Sequence, residues 1–160
     1  MTEAERILAS AGSVLVVDWP STDVPEALAK AGYSVLVRGG PEPDNYSVHE
    51  LCDGEIVSRD LGRPPDQVDL VYCHRPLDEL PGIVAIAKEI GAQALWYQSG
   101  FASSTAKDPK GCWVPEDASR QARILVESAD LRYVDGVYIA EAVRQLKAQE
   151  QPTPIPRANR

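Results

Sequence analysis

The sequence predicts an α/β fold of Rossmann-like type, with three layers: a mostly parallel sheet of five or six strands and helices on both of its faces. Two observations predict it. Short, mainly apolar runs at residues 13–18, 33–38, 68–73 and 94–97 have the composition of strands buried on both sides. Between them lie segments whose apolar residues return every three or four positions. A helix joining one strand to the next implies a right-handed crossover and therefore a parallel sheet.

The first run leads into a loop at Trp19, Pro20 and Ser21, and then Val24, Ala27 and Leu28 follow at helical spacing. Thr22 or Asp23 can cap this helix, Pro25 suits its first turn and Gly32 its end. The second run closes at Gly39, Gly40 and Pro41, which break regular structure. Between 42 and 66 the pattern is weakest. A short helical turn holding Val48 and Leu51 is expected there, then an edge strand at 55–58, with Arg63, Pro64 and Pro65 as punctuation.

After the third run come His74, Arg75 and Pro76, and then a helix whose Leu80, Ile83, Val84, Ala87 and Ile90 form one apolar stripe ending at Gly91. The fourth run opens a long loop, 98–113. A helix at 116–129 carries Ala118, Ala122, Leu125 and Val126; a last strand is expected at 131–134. The final helix runs from Gly136 to about Gln149, with Ile139, Ala142, Val143 and Leu146 on one side. Residues 1–149 are therefore expected to form one domain. Pro152, Pro154 and Pro156 exclude a helix beyond it, and 150–160 is expected to be a disordered tail.

With 160 residues the chain can bury a core without disulfides or a structural metal. Its 24 acidic side chains against 16 Lys and Arg give a net charge of −8, which argues against general binding to nucleic acid or to an anionic membrane. Cys52, Cys73 and Cys112 lie far apart, form no CxxC pair and are odd in number, as expected of reduced thiols. Glu3 and Glu5 stand where a signal peptide carries only positive charge, and no apolar run approaches the ~18 residues of a membrane span. A cytoplasmic protein is expected.

In a sheet of this kind ligands bind beyond the carboxyl ends of the strands. The residues there are Asp18, Trp19, Pro20, Ser21 and Thr22 after the first run, and Arg38, Gly39 and Gly40 after the second. His74, Arg75 and Pro76 follow the third, and Gln98, Ser99 and Gly100 the fourth. The first loop lacks the glycines of a dinucleotide fingerprint, and Asp18 can repel an anion. Ser21, Thr22 and the helix start still offer hydroxyls, amides and a favourable dipole, or else simply cap the helix. Arg38 stands where a Rossmann-type site meets a ribose phosphate, although a solvated surface arginine is the alternative. The two glycines after it allow close approach of a purine, or simply make a turn.

Catalytic signals fail. There is no phosphate-binding P-loop and no H-E-x-x-H zinc helix, and Tyr97 occupies the first glycine position that a nucleophile elbow at Ser99 requires. His49 and Cys52 could share a helix face as metal ligands with Cys73 and His74, but neighbouring strand residues point to opposite faces, so no metal ligand is assigned. His74 lacks a partner that would make it a base, and Trp96, Tyr97 and Trp113 read as packing residues.

The stretch 68–100 resembles the small stand-alone CoA-binding domain proteins, which are similar to the amino-terminal domain of succinyl-CoA synthetase α subunits. The family pattern is a V-D-L-V strand, an R-P turn, a helix with P-x-I-V, then G-A-x-A-x-W-x-Q-x-G. Arg75, Pro76, Pro81, Ile83, Val84, Gly91, Ala92, Trp96, Gln98 and Gly100 fit it, and the flanking strands fit in order and spacing from about 13 to 135. The resemblance implies a Rossmann-like fold that holds coenzyme A through the loops after the first, second and fourth core strands, usually with no demonstrated catalysis by the domain itself. Here the first loop reads Asp18-Trp19-Pro20-Ser21 where the family resembles Gly-Ala-Ser. Arg38-Gly39-Gly40-Pro41 replaces an Asn-Pro pair, and Asp135-Gly136-Val137 an Asp-Arg-Cys.

The expected function is non-catalytic binding of coenzyme A or an acyl-CoA, a small-molecule nucleotide ligand, with any protein partner left open. Two alternatives stand beside it. One is an oxidoreductase with an NADP-type cofactor, the 99–113 loop acting as a lid and Lys107 or Lys110 reaching a phosphate. The other is a ligand-free protein-interaction domain.

Overall fold

The apolar runs form the middle of a seven-stranded sheet in the computed structural model, which describes residues 1–39, 45–108 and 111–150. The strands are β1 (Ser13–Val17), β2 (Ser34–Arg38), β3 (Tyr46–Cys52), β4 (Glu55–Asp60), β5 (Leu70–Cys73), β6 (Ala94–Tyr97) and β7 (Arg132–Val134). Their order is β4-β3-β2-β1-β5-β6-β7. From β2 to β7 every pairing is parallel; β3 and β4 add an antiparallel hairpin at one edge.

That hairpin is why the count is seven and not five or six. The expected helical turn at Val48 and Leu51 does not form: both residues lie in β3, where Val48 pairs with Leu36 of β2 and Leu51 with Ile56 of β4. Asp53 and Gly54, at φ 53° and 82°, make a two-residue turn with both central residues in the left-handed region, the geometry that a tight hairpin favours. The Asp-Gly pair is the local signal that outranks the i, i+3 spacing of two apolar residues. The edge strand expected at 55–58 extends to Asp60.

Each residue of β1 alternates between two cores. Val14 and Val16 pack with α1 (Glu3–Ser10), α2 (Asp23–Lys30) and α5 (Ile139–Glu150), whereas Leu15 and Val17 pack with α3 (Leu80–Glu89) and α4 (Glu116–Glu127). A strand covered on both faces has no polar side to show, which accounts for its unbroken apolar run. Helix α1 was not foreseen, yet it begins with a capping box. The Glu5 amide donates to Thr2 Oγ1 at 3.2 Å and the Thr2 amide to Glu5 Oε2 at 3.4 Å. Its Ala4, Ile7 and Leu8 are buried, and Tyr33 Oη donates to the Leu8 carbonyl at 2.7 Å.

No helix among the described residues is long and apolar enough to cross a membrane. Helix α5 runs through Glu150; the rest of the expected tail, 151–160, lies outside the described residues, as does Gly40. Leu15 is fully buried at the centre of the sheet. Leu15→Ala is expected to cost about 2–5 kcal/mol through lost burial and a residual cavity, read as a lower urea midpoint at unchanged slope.

Candidate functional site

The carboxyl ends of β1, β5 and β6 open into a cleft of about 870 Å³, bordered by the start of α4 and by the loop that follows β6. A second cleft of about 820 Å³ lies beside it towards β2 and α3. Asp18 and Arg75 line both. Of the sequence-derived residues, His74, Pro76 and Ser99 join them in the first cleft and Arg38 in the second.

Asp18 ends β1 at φ 55°, a left-handed conformation that Asp tolerates better than most side chains. Its amide donates to the Arg38 carbonyl at 2.9 Å, which holds the turn against β2. Its Oδ2 lies 3.5 Å from Arg75 Nε, and the same guanidinium reaches Glu79 Oε2 at 2.5 Å. The carboxylate that reads from sequence as a barrier to an anion therefore faces a cation. Gly39 follows directly, where an added Cβ would sit 3.7 Å from Asp18 Oδ1.

Arg38 differs from Arg75 in one respect. Its Nε is buried and has no hydrogen-bond partner, a condition that costs free energy and is uncommon in folded proteins.

The start of α2 is not capped as expected. Thr22 is the N-cap without a side-chain hydrogen bond. Asp23 instead gathers three donors: Trp19 Nε1 at 2.6 Å and Ser21 Oγ on Oδ1, and Tyr138 Oη at 2.6 Å on Oδ2. Trp19, only 8% exposed, packs its ring against Tyr72, His74 and Tyr138. The first loop is thus filled by an indole where the family pattern has small residues.

His74 Nε2 is buried and unpartnered as well. Burial is the main force holding its pKa below the ordinary 6.5; the neighbouring Arg75 charge adds to it, and a hydrogen bond to the Asp18 backbone opposes it. A Cβ on Gly100 would come within 2.9 Å of His74 Nε2, and Gly100 has φ +77°, so that position requires glycine twice over.

The residues after β6 do structural work. Gln98 is 1% exposed; its Nε2 donates to the Gly111 carbonyl at 2.5 Å and its Oε1 accepts from Cys112 Sγ at 3.2 Å. Ser99 Oγ donates to the Trp113 carbonyl at 2.5 Å and accepts from the Phe101 amide at 3.1 Å. Backbone bonds from Gly100 to Gly111, from Asp108 to Gly100 and from Trp113 to Phe101 complete the folding of the loop upon itself. The Gln98 amide and the Ser99 hydroxyl, expected to meet ligand, serve here to hold the loop. Lys107 Nζ lies 6.0 Å above the Phe101 ring, and Lys110 falls outside the described residues.

Trp96 is a packing residue, fully buried, with Nε1 donating to the Val137 carbonyl at 2.9 Å. Trp113 is not. It is 39% exposed and lines the first cleft with Phe101, Val114 and Pro115, none of which the sequence singled out for the site. The available signal was an apolar composition at both ends of an unusually long loop. His49 and Cys52 sit on β3 and not on a helix, so their three-residue spacing puts them on opposite faces. Among the described residues no three His, Cys, Asp or Glu side chains are placed to hold a metal ion.

The chain has two histidines, His49 and His74, and burial lowers the pKa of both. Because the folded values lie below the unfolded one, each contributes stability that is present above about pH 6.5 and is lost as pH falls through the folded pKa. NMR titration of the ring protons is expected to give two midpoints below 6.5, with the urea midpoint falling as pH drops beneath that value. A His74 midpoint at or above 6.5 would contradict a neutral ring in the cleft.

Solved structures share this fold. Prb, described as the PH1109 protein redesigned for binding, is 18% identical with a TM-score of 0.57, the match covering 92% of this chain and 93% of that one. A Thermus thermophilus protein, cell-free ID.343, is 21% identical with a TM-score of 0.54, covering 91% and 99%. No curated protein sequence matches the chain. The family model described as "CoA binding domain" matches residues 7–142, from within α1 into α5. The match supports binding of coenzyme A in general and lends nothing to the NADP alternative. By that match, which takes in all seven strands and both clefts, the chain belongs to the CoA binding domain family.

Proposed function

We propose that the protein is a non-catalytic, cytoplasmic binder of coenzyme A or an acyl-CoA, which it holds at the carboxyl ends of the parallel strands. The observation that carries this placement is the unpartnered, buried Nε of Arg38 in a cleft that also contains Arg75. A phosphate there would supply the missing acceptor and meet a planar fork of donors. Gly39 borders the adenine and Arg75 forms the opposite wall.

The groups that catalysis would need are held in unreactive states. Burial pushes the Cys73 thiol up to about 12, and it raises Cys112 too, so both stay protonated where a nucleophile would need a thiolate. No carboxylate orients His74 as a base among the described residues: its Nε2 has no partner and its ring is bonded to the Asp18 backbone. Arg75 spends its charge on Asp18 and Glu79, which leaves Arg38 as the principal anchor for the nucleotide.

Titration calorimetry with CoA, acetyl-CoA, NADPH and ATP tests this reading after any co-purified ligand has been removed. Saturable binding of CoA in preference to NADPH and ATP is expected. Arg38→Ala is expected to weaken it by ~1.5–3 kcal/mol, the worth of a hydrogen bond to a charged group. Unchanged affinity in that variant removes Arg38 from the site, and a preference for NADPH, or no binding at all, rejects the reading.

A further inference from the structure

We propose that the larger cleft is an acyl subsite selective for apolar acyl groups, so that the preferred ligand is an aliphatic or aryl thioester of CoA and not free CoA or a dicarboxylic thioester. The inference rests on the CoA-binding reading and deepens it. Its starting point is the division of polarity between the two clefts. The cleft at Arg38 carries the charged Asp18, Arg75, Asp78 and Glu79 beside a smaller apolar edge of Ile83 and Ile86. Beyond Asp18 and Arg75 the wall changes to Leu77, Tyr97, Phe101, Trp113, Val114 and Pro115. An acyl-CoA is divided in the same sense, with phosphates at one end and the acyl group at the other. Because Asp18 and Arg75 line both clefts, one extended ligand can lie across them.

The polar groups on the rim of the larger cleft are already engaged or uncharged. Arg75 is held by Asp18 and Glu79, the Ser99 hydroxyl by the Trp113 carbonyl, and His74 is kept neutral at pH 7 by burial. A terminal carboxylate would enter without a free cation among the lining residues, and its desolvation would go uncompensated. Lys107 does not line the cleft and sits over the Phe101 ring.

Phe101 and Trp113 keep 36% and 39% of their surface exposed although they face a concavity of about 870 Å³, a volume typical of small-molecule sites. Covering aromatic surface in a concave site is favourable in proportion to the area removed from water. Hydrogen bonds through Gln98, Ser99 and Gly111 hold the backbone that carries both rings.

The test is a calorimetric series on the full chain with CoA, acetyl-CoA, hexanoyl-CoA, benzoyl-CoA and succinyl-CoA, repeated in Trp113→Ala and Arg38→Ala. Hexanoyl-CoA and benzoyl-CoA are expected to bind at least tenfold tighter than CoA, and succinyl-CoA no tighter than acetyl-CoA. Trp113→Ala is expected to bring the ratio of hexanoyl-CoA to CoA affinity close to one, whereas Arg38→Ala lowers all affinities together and keeps the ratio. Tryptophan emission adds a direct signal: Trp19 and Trp96 are buried, so a blue shift on adding hexanoyl-CoA reports Trp113. Equal affinity for CoA and hexanoyl-CoA in the wild type overturns the acyl subsite and leaves the CoA reading standing. Tightest binding of succinyl-CoA overturns its apolar character. Binding of none of the five overturns both the subsite and the reading beneath it.

Discussion

Strand β1 has a parallel neighbour on each edge and a helical layer on each face, and its Val14, Leu15, Val16 and Val17 are essentially without exposure. A strand so enclosed can meet water or ligand only at its ends. The neighbours β2, β5 and β6 run in the same sense, so their following loops gather at one rim, and Asp18, Arg38, Arg75 and Ser99 come together there from four distant parts of the chain. The site is a product of that shared direction. Any change that loosens β1 against β2 would move Asp18 and Arg38 apart, because the Asp18 amide is bonded to the Arg38 carbonyl.

At the rim, charge is arranged with one deliberate asymmetry. Asp18, Arg75 and Glu79 satisfy one another, while Arg38 keeps a buried donor without an acceptor. The acid at the end of β1, which looked hostile to a polyanion in isolation, acts on Arg75 and so helps to set the boundary between a charged cleft and an apolar one. Trp19, buried, fills the first loop with an indole that Asp23 fixes by its ring nitrogen, where the family pattern has small residues.

The legible part of the fold was that governed by local pattern. Runs such as 14–17 and 94–97 are apolar throughout because both faces are buried, and that property survives in the bare sequence. Helices α2, α3, α4 and α5 were legible from stripes such as Leu80, Ile83, Val84 and Ala87. The hairpin was harder, since β3 and β4 are half-exposed and their apolar residues are too few to set a period; there the turn residues Asp53 and Gly54 carry the information. The sheet-end residues could be named from the fold class, but not their engagements. Whether Gln98 faces ligand or a carbonyl 13 residues away depends on how the long loop folds, and nothing local records that. Trp113 reads as a packing residue in the sequence for the same reason.

The folded-back loop after β6 also bears on how quickly a ligand can come and go. Gly111 lies so close to the Phe101 backbone that a Cβ would sit 2.2 Å from its carbonyl carbon, and the Gln98 amide bonds the Gly111 carbonyl from below. Segments that order only on binding subtract conformational entropy from affinity and add a slow step to association. A wall assembled in advance does neither. For a ligand bound as proposed, encounter would be governed by diffusion and orientation, and the lifetime of the complex by how many contacts must break together.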